Sequence, residues 1–319
     1  MKKILALHTG GTISMSENDH GVSPNGVNPL IESSYSLPSD IELVVEDVFN
    51  LPSPHITLEH MMILKKRIEE AIYEGFGGVV ITHGTDTLEE TAYFLDLTIG
   101  DKIPIVITGA MRSHNELGSD GLYNFTNAIR VASTDFTLSF GVLVVMNDEI
   151  HSAHFVTKMH TTNIATFDST TGPIGYVNKN RVNFVQQIVP TFRENISHVS
   201  ARVPIVKAYA GMNGILFDAL ADADIDGLVV EALGAGNLPP DTIKPLKKLI
   251  AKGVPIAIVS RCIKGSAEPI YSYEGGGIEL EELGLVFVPS LNAPKARIKM
   301  IVGLDAGLRD RALTYFLKN

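Results

Sequence analysis

Short apolar runs alternate with amphipathic stretches along the first half of the chain. Ile4–His8, Ile41–Phe49, Gly78–Thr82, Ile103–Thr108 and Gly141–Met146 read as strands, several of them apolar throughout. A run with no polar alternation is buried on both faces, which predicts a largely parallel central sheet covered by helices. Between these runs, Leu58, Met61, Leu64, Ile68, Ala71 and Ile72 recur at helical spacing, with Thr57 as a cap before them and Gly75 as a stop after them. Further helices are predicted over Thr87–Leu97 and Asp120–Ala132. Strand, crossover and strand repeated in this way give an α/β, doubly wound fold with right-handed connections.

The polar stretch IVPTFRENISHVSAR loses this rhythm and reads as a linker. After it the rhythm returns, with strands at Pro204–Tyr209, Gly227–Glu231, Pro255–Ser260 and Leu285–Val288. Helices are expected near Pro239–Lys252, Ala293–Leu304 and Asp305–Leu317. The reading is therefore a large N-terminal catalytic domain over 1–190, a linker over 191–202 and a smaller α/β C-terminal domain over 203–319.

Composition narrows the partners. The 319 residues hold 26 Lys+Arg against 36 Asp+Glu, a net charge of −10, and no dense basic block, so nucleic acid is not expected as a partner. The single cysteine, Cys262, excludes an internal disulfide and a cysteine-rich zinc site. No run approaches the roughly 18 apolar residues of a membrane span, and MKKILALHTGGTI lacks a signal peptide's long apolar run and cleavage site. A cytoplasmic protein without a membrane partner is expected.

In an open α/β sheet, ligands bind beyond the carboxyl ends of the strands. There the chain places Thr9-Gly10-Gly11-Thr12 after the first strand and His83-Gly84-Thr85-Asp86-Thr87 after the third. Thr12 reads either as a helix cap or as a hydroxyl left bare by two glycines. Thr85 and Asp86 read either as caps, with Glu89 and Glu90 favoured nearby by the helix dipole, or as chemical groups. A hydroxyl nucleophile needs a base and donors for the oxyanion. Asp86 would orient such a base, and Lys158 is the candidate for it if burial or a neighbouring cation lowers its pKa; otherwise it is a solvated surface lysine. A dinucleotide loop is disfavoured because the G-x-G-x-x-G spacing is missing.

TGGTI at 9–13, HGTDTLEETAYFLDL at 83–97, TGAMR at 108–112, SDGLYN at 119–124, GVLVVMNDEI at 141–150 and VTKMHTTNIATF at 156–167 together resemble bacterial L-asparaginases. LGAGNLP at 233–239 and LNAPKAR at 291–297 carry the resemblance into the second domain. The missing signal peptide makes the chain similar to the cytoplasmic, type I-like branch. The resemblance implies hydrolysis of the side-chain amide of L-asparagine to L-aspartate and ammonia, with no cofactor. It makes Thr12 the nucleophile and Thr85, Asp86 and Lys158 a second catalytic set. The amides of Thr85 and Ala110 would form the oxyanion hole. Ser53 would hold the substrate α-carboxylate and Asp86 its α-ammonium, while Glu274 would serve a neighbouring subunit in a homodimer or homotetramer.

Two positions depart from the family pattern. The first loop usually carries a tyrosine, but SENDHGVSPNG places Val22 near that point, so Tyr35 or another hydroxyl substitutes, or Thr12 is activated differently. Pro54 follows the carboxylate-binding serine where glutamine is common, which removes an amide and a backbone donor. His151, His154 and His160 lack the spacing and third carboxylate of a zinc motif, so no metal is expected. Two alternatives to the hydrolase stand: a non-catalytic amino-acid sensor, and a glutaminase-type, ammonia-supplying amidotransferase subunit.

Overall fold

The computed structural model describes residues 1–19, 21–24, 30, 37, 39–179, 181–189 and 192–319. The chain divides into two compact units, Met1–Arg193 and Glu194–Asn319. Residues 190 and 191, where the expected N-terminal domain meets the expected linker, lie outside the described residues.

In the first unit the described elements run β1 (Lys2–His8), β2 (Met15–Asn18), β3 (Gly21–Pro24), β4 (Ile41–Asp47), α1 (Leu58–Tyr73), β5 (Gly78–Thr82), α2 (Leu88–Thr98), β6 (Ile105–Thr108), α3 (Gly121–Ser133), β7 (Val142–Met146), β8 (Glu149–Ser152), β9 (Val156–Lys158), β10 (Phe167–Ser169), β11 (Gly175–Asn178) and β12 (Arg181–Phe184). The main sheet has the order β12-β11-β8-β7-β6-β5-β1-β4. From β4 to β7 neighbouring strands are parallel, and from β7 outwards they are antiparallel. The chain leaves β1 in one direction to reach β4 and in the other to reach β5. That reversal makes the carboxyl ends of β1 and β5 the switch point of the sheet, where a crevice opens.

The apolar runs account for the parallel part, since every residue of β5, β6 and β7 is buried. In α1, Met61, Leu64, Ile68 and Ala71 make the buried stripe that the spacing predicts. Thr57 caps the helix through a reciprocal box in which His60 Nδ1 accepts from the Thr57 amide at 3.1 Å, and Gly75 follows the helix with φ +78. The antiparallel strands are absent from the sequence reading, and Lys158 ends one of them, β9. These strands are three or four residues long and several are half exposed, so they carry no continuous apolar run.

The second unit holds β13 (Ile205–Lys207), α4 (Ile215–Asp222), β14 (Leu228–Ala232), α5 (Ile243–Ala251), β15 (Ile256–Ser260), α6 (Gly277–Glu282), β16 (Val286–Phe287), α7 (Ala293–Asp305) and α8 (Asp310–Lys318). Its strands form a parallel sheet in sequence order. The expected α/β class therefore holds in both units. Helices α4 and α6 escape the periodicity reading because they are only eight and six residues long.

Two buried histidines sit at the carboxyl edge of the first sheet. His8 Nδ1 lies 2.7 Å from Thr82 Oγ1. His83 Nδ1 lies 2.8 Å from Gly84 O; a carbonyl only accepts, so this nitrogen carries the proton, and in the neutral ring Nε2 accepts from Thr91 Oγ1 at 2.9 Å. Burial lowers both rings from 6.5 to about 4. The unfolded chain takes up protons near 6.5 while the folded chain waits until about 4. Stability is therefore full above pH 6.5 and falls towards about pH 4, at up to ~1.4 kcal/mol per pH unit for each ring. Urea midpoints should decline steadily as the pH is lowered through this window, and a flat series would show that neither ring is held neutral.

Candidate active site

Three loops meet at the switch point, one each after β1, β4 and β5, and small residues permit the meeting. Gly11 has φ +82, and a Cβ there would lie 2.3 Å from Gly84 Cα. A Cβ on Gly84 would in turn lie 2.7 Å from Ser53 Cβ, and one on Gly10 would lie 2.4 Å from the amide nitrogen of Leu51. Backbone can pack this closely on backbone only where side chains are absent. Hydrogen bonds then join the loops: Asp86 N–H donates to Ser53 Oγ at 3.1 Å, and Thr87 Oγ1 donates to Ser53 O at 2.8 Å.

The result is an open cleft of about 230 Å³, lined among others by Thr12, Ser53, Thr85, Asp86, Met111 and Lys158. Thr12 begins a short 3-10 turn whose cap position is Gly11, so it is not a helix cap. Its hydroxyl has no hydrogen-bond partner among the described residues. Thr87, not Thr85 or Asp86, occupies the cap position of α2, which leaves both side chains free for the cleft. Lys158 Nζ donates to Thr85 Oγ1 at 2.8 Å and to Asp86 Oδ1 at 2.7 Å. The lysine side chain is 17% exposed and the aspartate 58%, so the pair faces a wet cleft and contributes little to stability. Its effect is orientation: an ammonium only donates, so Thr85 Oγ accepts from it and keeps its own O–H to give elsewhere.

Lys158 is held from behind. Glu89, buried in the first turn of α2, accepts the Lys158 amide at 2.7 Å. Sequence reasoning saw Glu89 only as a residue favoured by the helix dipole; nothing in its spacing pointed to a strand residue 69 positions away.

Two backbone groups are notable. Thr85 and Ala110 are buried, and among the described residues neither amide N–H has a hydrogen-bond acceptor. Buried N–H groups are nearly always paired, so a pair of them beside a cleft is a ready cradle for developing negative charge. Ala110 follows β6, and its neighbour Met111 lines the cleft.

Other expected residues lie elsewhere. Glu274 is exposed in a loop of the second unit. Val22 lies on β3, half exposed and paired across the hairpin with Glu17. Tyr35 lies outside the described residues. Both nitrogens of His151 are engaged, with Ser169 Oγ at 2.9 Å and Glu149 Oε2 at 3.2 Å, and His160 Nδ1 accepts two amides of its own turn. Among the described residues no three His, Cys, Asp or Glu side chains are grouped to hold a metal, and no helix is long and apolar enough to cross a membrane.

Comparison with known proteins follows the same lines. Residues 3–190 match the family described as asparaginase, N-terminal, and residues 202–315 match the glutaminase/asparaginase C-terminal domain. The chain belongs to the asparaginase family. Among relatives of this asparaginase-family chain, the L-asparaginase of Bacillus licheniformis is 34% identical, with 97% of this chain and 98% of the relative covered. A probable L-asparaginase of Deinococcus radiodurans is 38% identical over 96% of this chain and 94% of its own. The crystal structure of a probable cytoplasmic L-asparaginase from Campylobacter jejuni superposes with a TM-score of 0.85 at 32% identity, covering 100% of both chains.

The loop junction generates a prediction for this family member. Gly11→Ala combines a left-handed backbone with a contact 2.3 Å from another backbone atom. It should destabilise the fold by ~2–4 kcal/mol, measured by urea denaturation. A loss within experimental error would mean that the two loops are not in contact.

Proposed function

We propose that this chain hydrolyses the side-chain amide of L-asparagine to L-aspartate and ammonia, with Thr12 as nucleophile. The carrying observation is a free threonine hydroxyl sharing a cleft with a second threonine bonded to a lysine that also pairs with an aspartate. Family membership and the names of its relatives support the same reading.

In this reading Thr12 Oγ attacks the amide carbon, the N–H groups of Thr85 and Ala110 receive the oxyanion, and the C–N bond breaks. The hydroxyl proton of Thr12 leaves with the ammonia, and an ester to Thr12 remains. Thr85, ordered by Lys158, guides the water that splits the ester, which regenerates the hydroxyl and yields aspartate. Ser53 Oγ already accepts from Asp86 N–H, so its own hydrogen is available to the substrate α-carboxylate. Asp86 Oδ2, unengaged among the described residues, suits the α-ammonium. A cytoplasmic location, in keeping with the similarity to the probable cytoplasmic L-asparaginase of Campylobacter jejuni, and a homo-oligomer in which Glu274 serves a neighbouring copy complete the proposal.

Ammonia release from asparagine and from glutamine tests it, with saturable binding measured alongside. Thr12→Ala and Thr85→Ala should each lower kcat by ~10³-fold or more while the melting midpoint stays close to that of the parent chain. Binding of asparagine without ammonia from the unaltered protein would show a sensor instead. A glutamine rate far above that for asparagine would assign the ammonia-supplying role.

A further inference from the structure

The Ala110 N–H can serve as an oxyanion donor only if its peptide plane is fixed before substrate arrives, and the chain around it is tied down on both sides. The peptide joining Gly109 to Ala110 carries the Gly109 carbonyl at one end and the Ala110 N–H at the other. No peptide in the described chain is cis, so the two groups point in opposite directions. Asn124, buried in the first turn of α3, donates from Nδ2 to Gly109 O at 3.1 Å. The peptide that follows is clamped through its N–H: both carboxylate oxygens of Asp120 lie 3.1 Å from Met111 N, and Oδ1 lies 3.0 Å from Arg112 N. Asp120 Oδ2 also accepts from Asn124 Nδ2 at 3.0 Å, which makes the two side chains one device.

The amide orientation of Asn124 is settled by its partners. Its Oδ1 accepts from Asn147 N at 3.1 Å, while Gly109 O and Asp120 Oδ2 can only be served by Nδ2. On its other flank Gly109 donates to Met146 Sδ at 3.2 Å, and a Cβ on Gly109 would lie 2.6 Å from His83 O and 3.2 Å from Thr85 Cγ2. The segment is thus pressed against the Thr85 loop with no room to rotate. The three amides after Gly109 are divided: those of Met111 and Arg112 are consumed by Asp120, and that of Ala110 is left without an acceptor among the described residues.

We infer that Asn124 and Asp120 are positioning residues for the reaction, holding the Gly109–Ala110–Met111 backbone so that the Ala110 N–H stands ready, and polarised, for the oxyanion. Hydrogen bonding at the carbonyl end of a peptide strengthens the donor at its other end, so Asn124 acts on both direction and strength. A group that acts on the oxyanion stabilises the transition state and not the bound substrate. The inference rests on the amidohydrolase reading of the cleft.

The test is a KM-against-kcat comparison on Asn124→Ala, with binding of L-aspartate and of its β-semialdehyde measured on the same protein. Aspartate presents a planar β-carboxylate that already carries its charge and forms no tetrahedral adduct with Thr12, so its affinity reads ground-state binding. The aldehyde carbon adds the Thr12 hydroxyl across its C=O bond to give a tetrahedral adduct, with the proton transferred to the former carbonyl oxygen, which sits where the oxyanion forms. Expected are a fall in kcat of about 10- to 100-fold with KM within about threefold of the parent, unchanged aspartate binding, and a loss of aldehyde affinity that parallels kcat. Asp120→Asn is isosteric and provides the same readout if Asn124→Ala does not fold; it should lower kcat in the same direction with KM preserved. An unchanged kcat, or a loss carried by KM and aspartate binding together, would overturn the inference while leaving the hydrolase intact. An unaltered protein that releases no ammonia would overturn the hydrolase reading, and this inference with it.

Discussion

Bare backbone is what lets three loops meet at the carboxyl edge of the sheet. Gly10 lies against Leu51, Gly11 against Gly84 and Gly84 against Ser53, each at a spacing that a single methyl group would close. The other features of the cleft depend on these contacts. Ser53 reaches the Asp86 amide because its loop can approach the β5 loop, and Thr12 shares a cleft with Thr85 because the first loop turns sharply over Gly10 and Gly11. The sheet supplies the direction of approach, since the three loops leave the same ends of adjacent parallel strands. The chemistry therefore rests on packing in which the absent side chains matter as much as those present.

Charge enters on different terms. The contact between Lys158 and Asp86 is half exposed and adds little to the free energy of folding. Its geometry is nevertheless well determined, because the backbone of Lys158 is bound to a buried carboxylate on the helix that follows the Thr85 loop. Glu89 thus links the position of the cation to the position of the threonine it serves, through a helix that begins only three residues after Thr85.

Much of this could be read in advance, and the boundary is physical. The parallel strands and α1 announce themselves because each is long and buried on a defined face, so burial leaves a periodic trace. Thr12, Thr85, Asp86 and Lys158 were legible as candidates because strand-end loops are where side chains can act, and the family resemblance ranked them. The short antiparallel strands were not legible, since half-exposed segments of three or four residues carry no more pattern than a loop. The role of Glu89 was hidden for another reason: its partner is a backbone amide, and a backbone amide has no identity in sequence. The N–H groups of Thr85 and Ala110 were named through the family resemblance alone; that neither has an acceptor among the described residues becomes visible only when the surrounding acceptors can be counted.

The separate pairing of β9 with β10 bears on how the assembly comes apart. Thr85 and Asp86 follow a strand in the middle of the large sheet, whereas Lys158 closes a two-stranded ribbon of three residues a side. Such a ribbon has no independent stability; its order is borrowed from anchors such as Glu89 and the contact of Ser169 Oγ with His151 on β8. The cation and the threonine are therefore held by different strand ladders, the loop of Thr85 by the large sheet and Lys158 by the ribbon and its anchors. A change that cuts the ribbon's anchors would move Lys158 away from Thr85 without breaking any strand pairing of the large sheet.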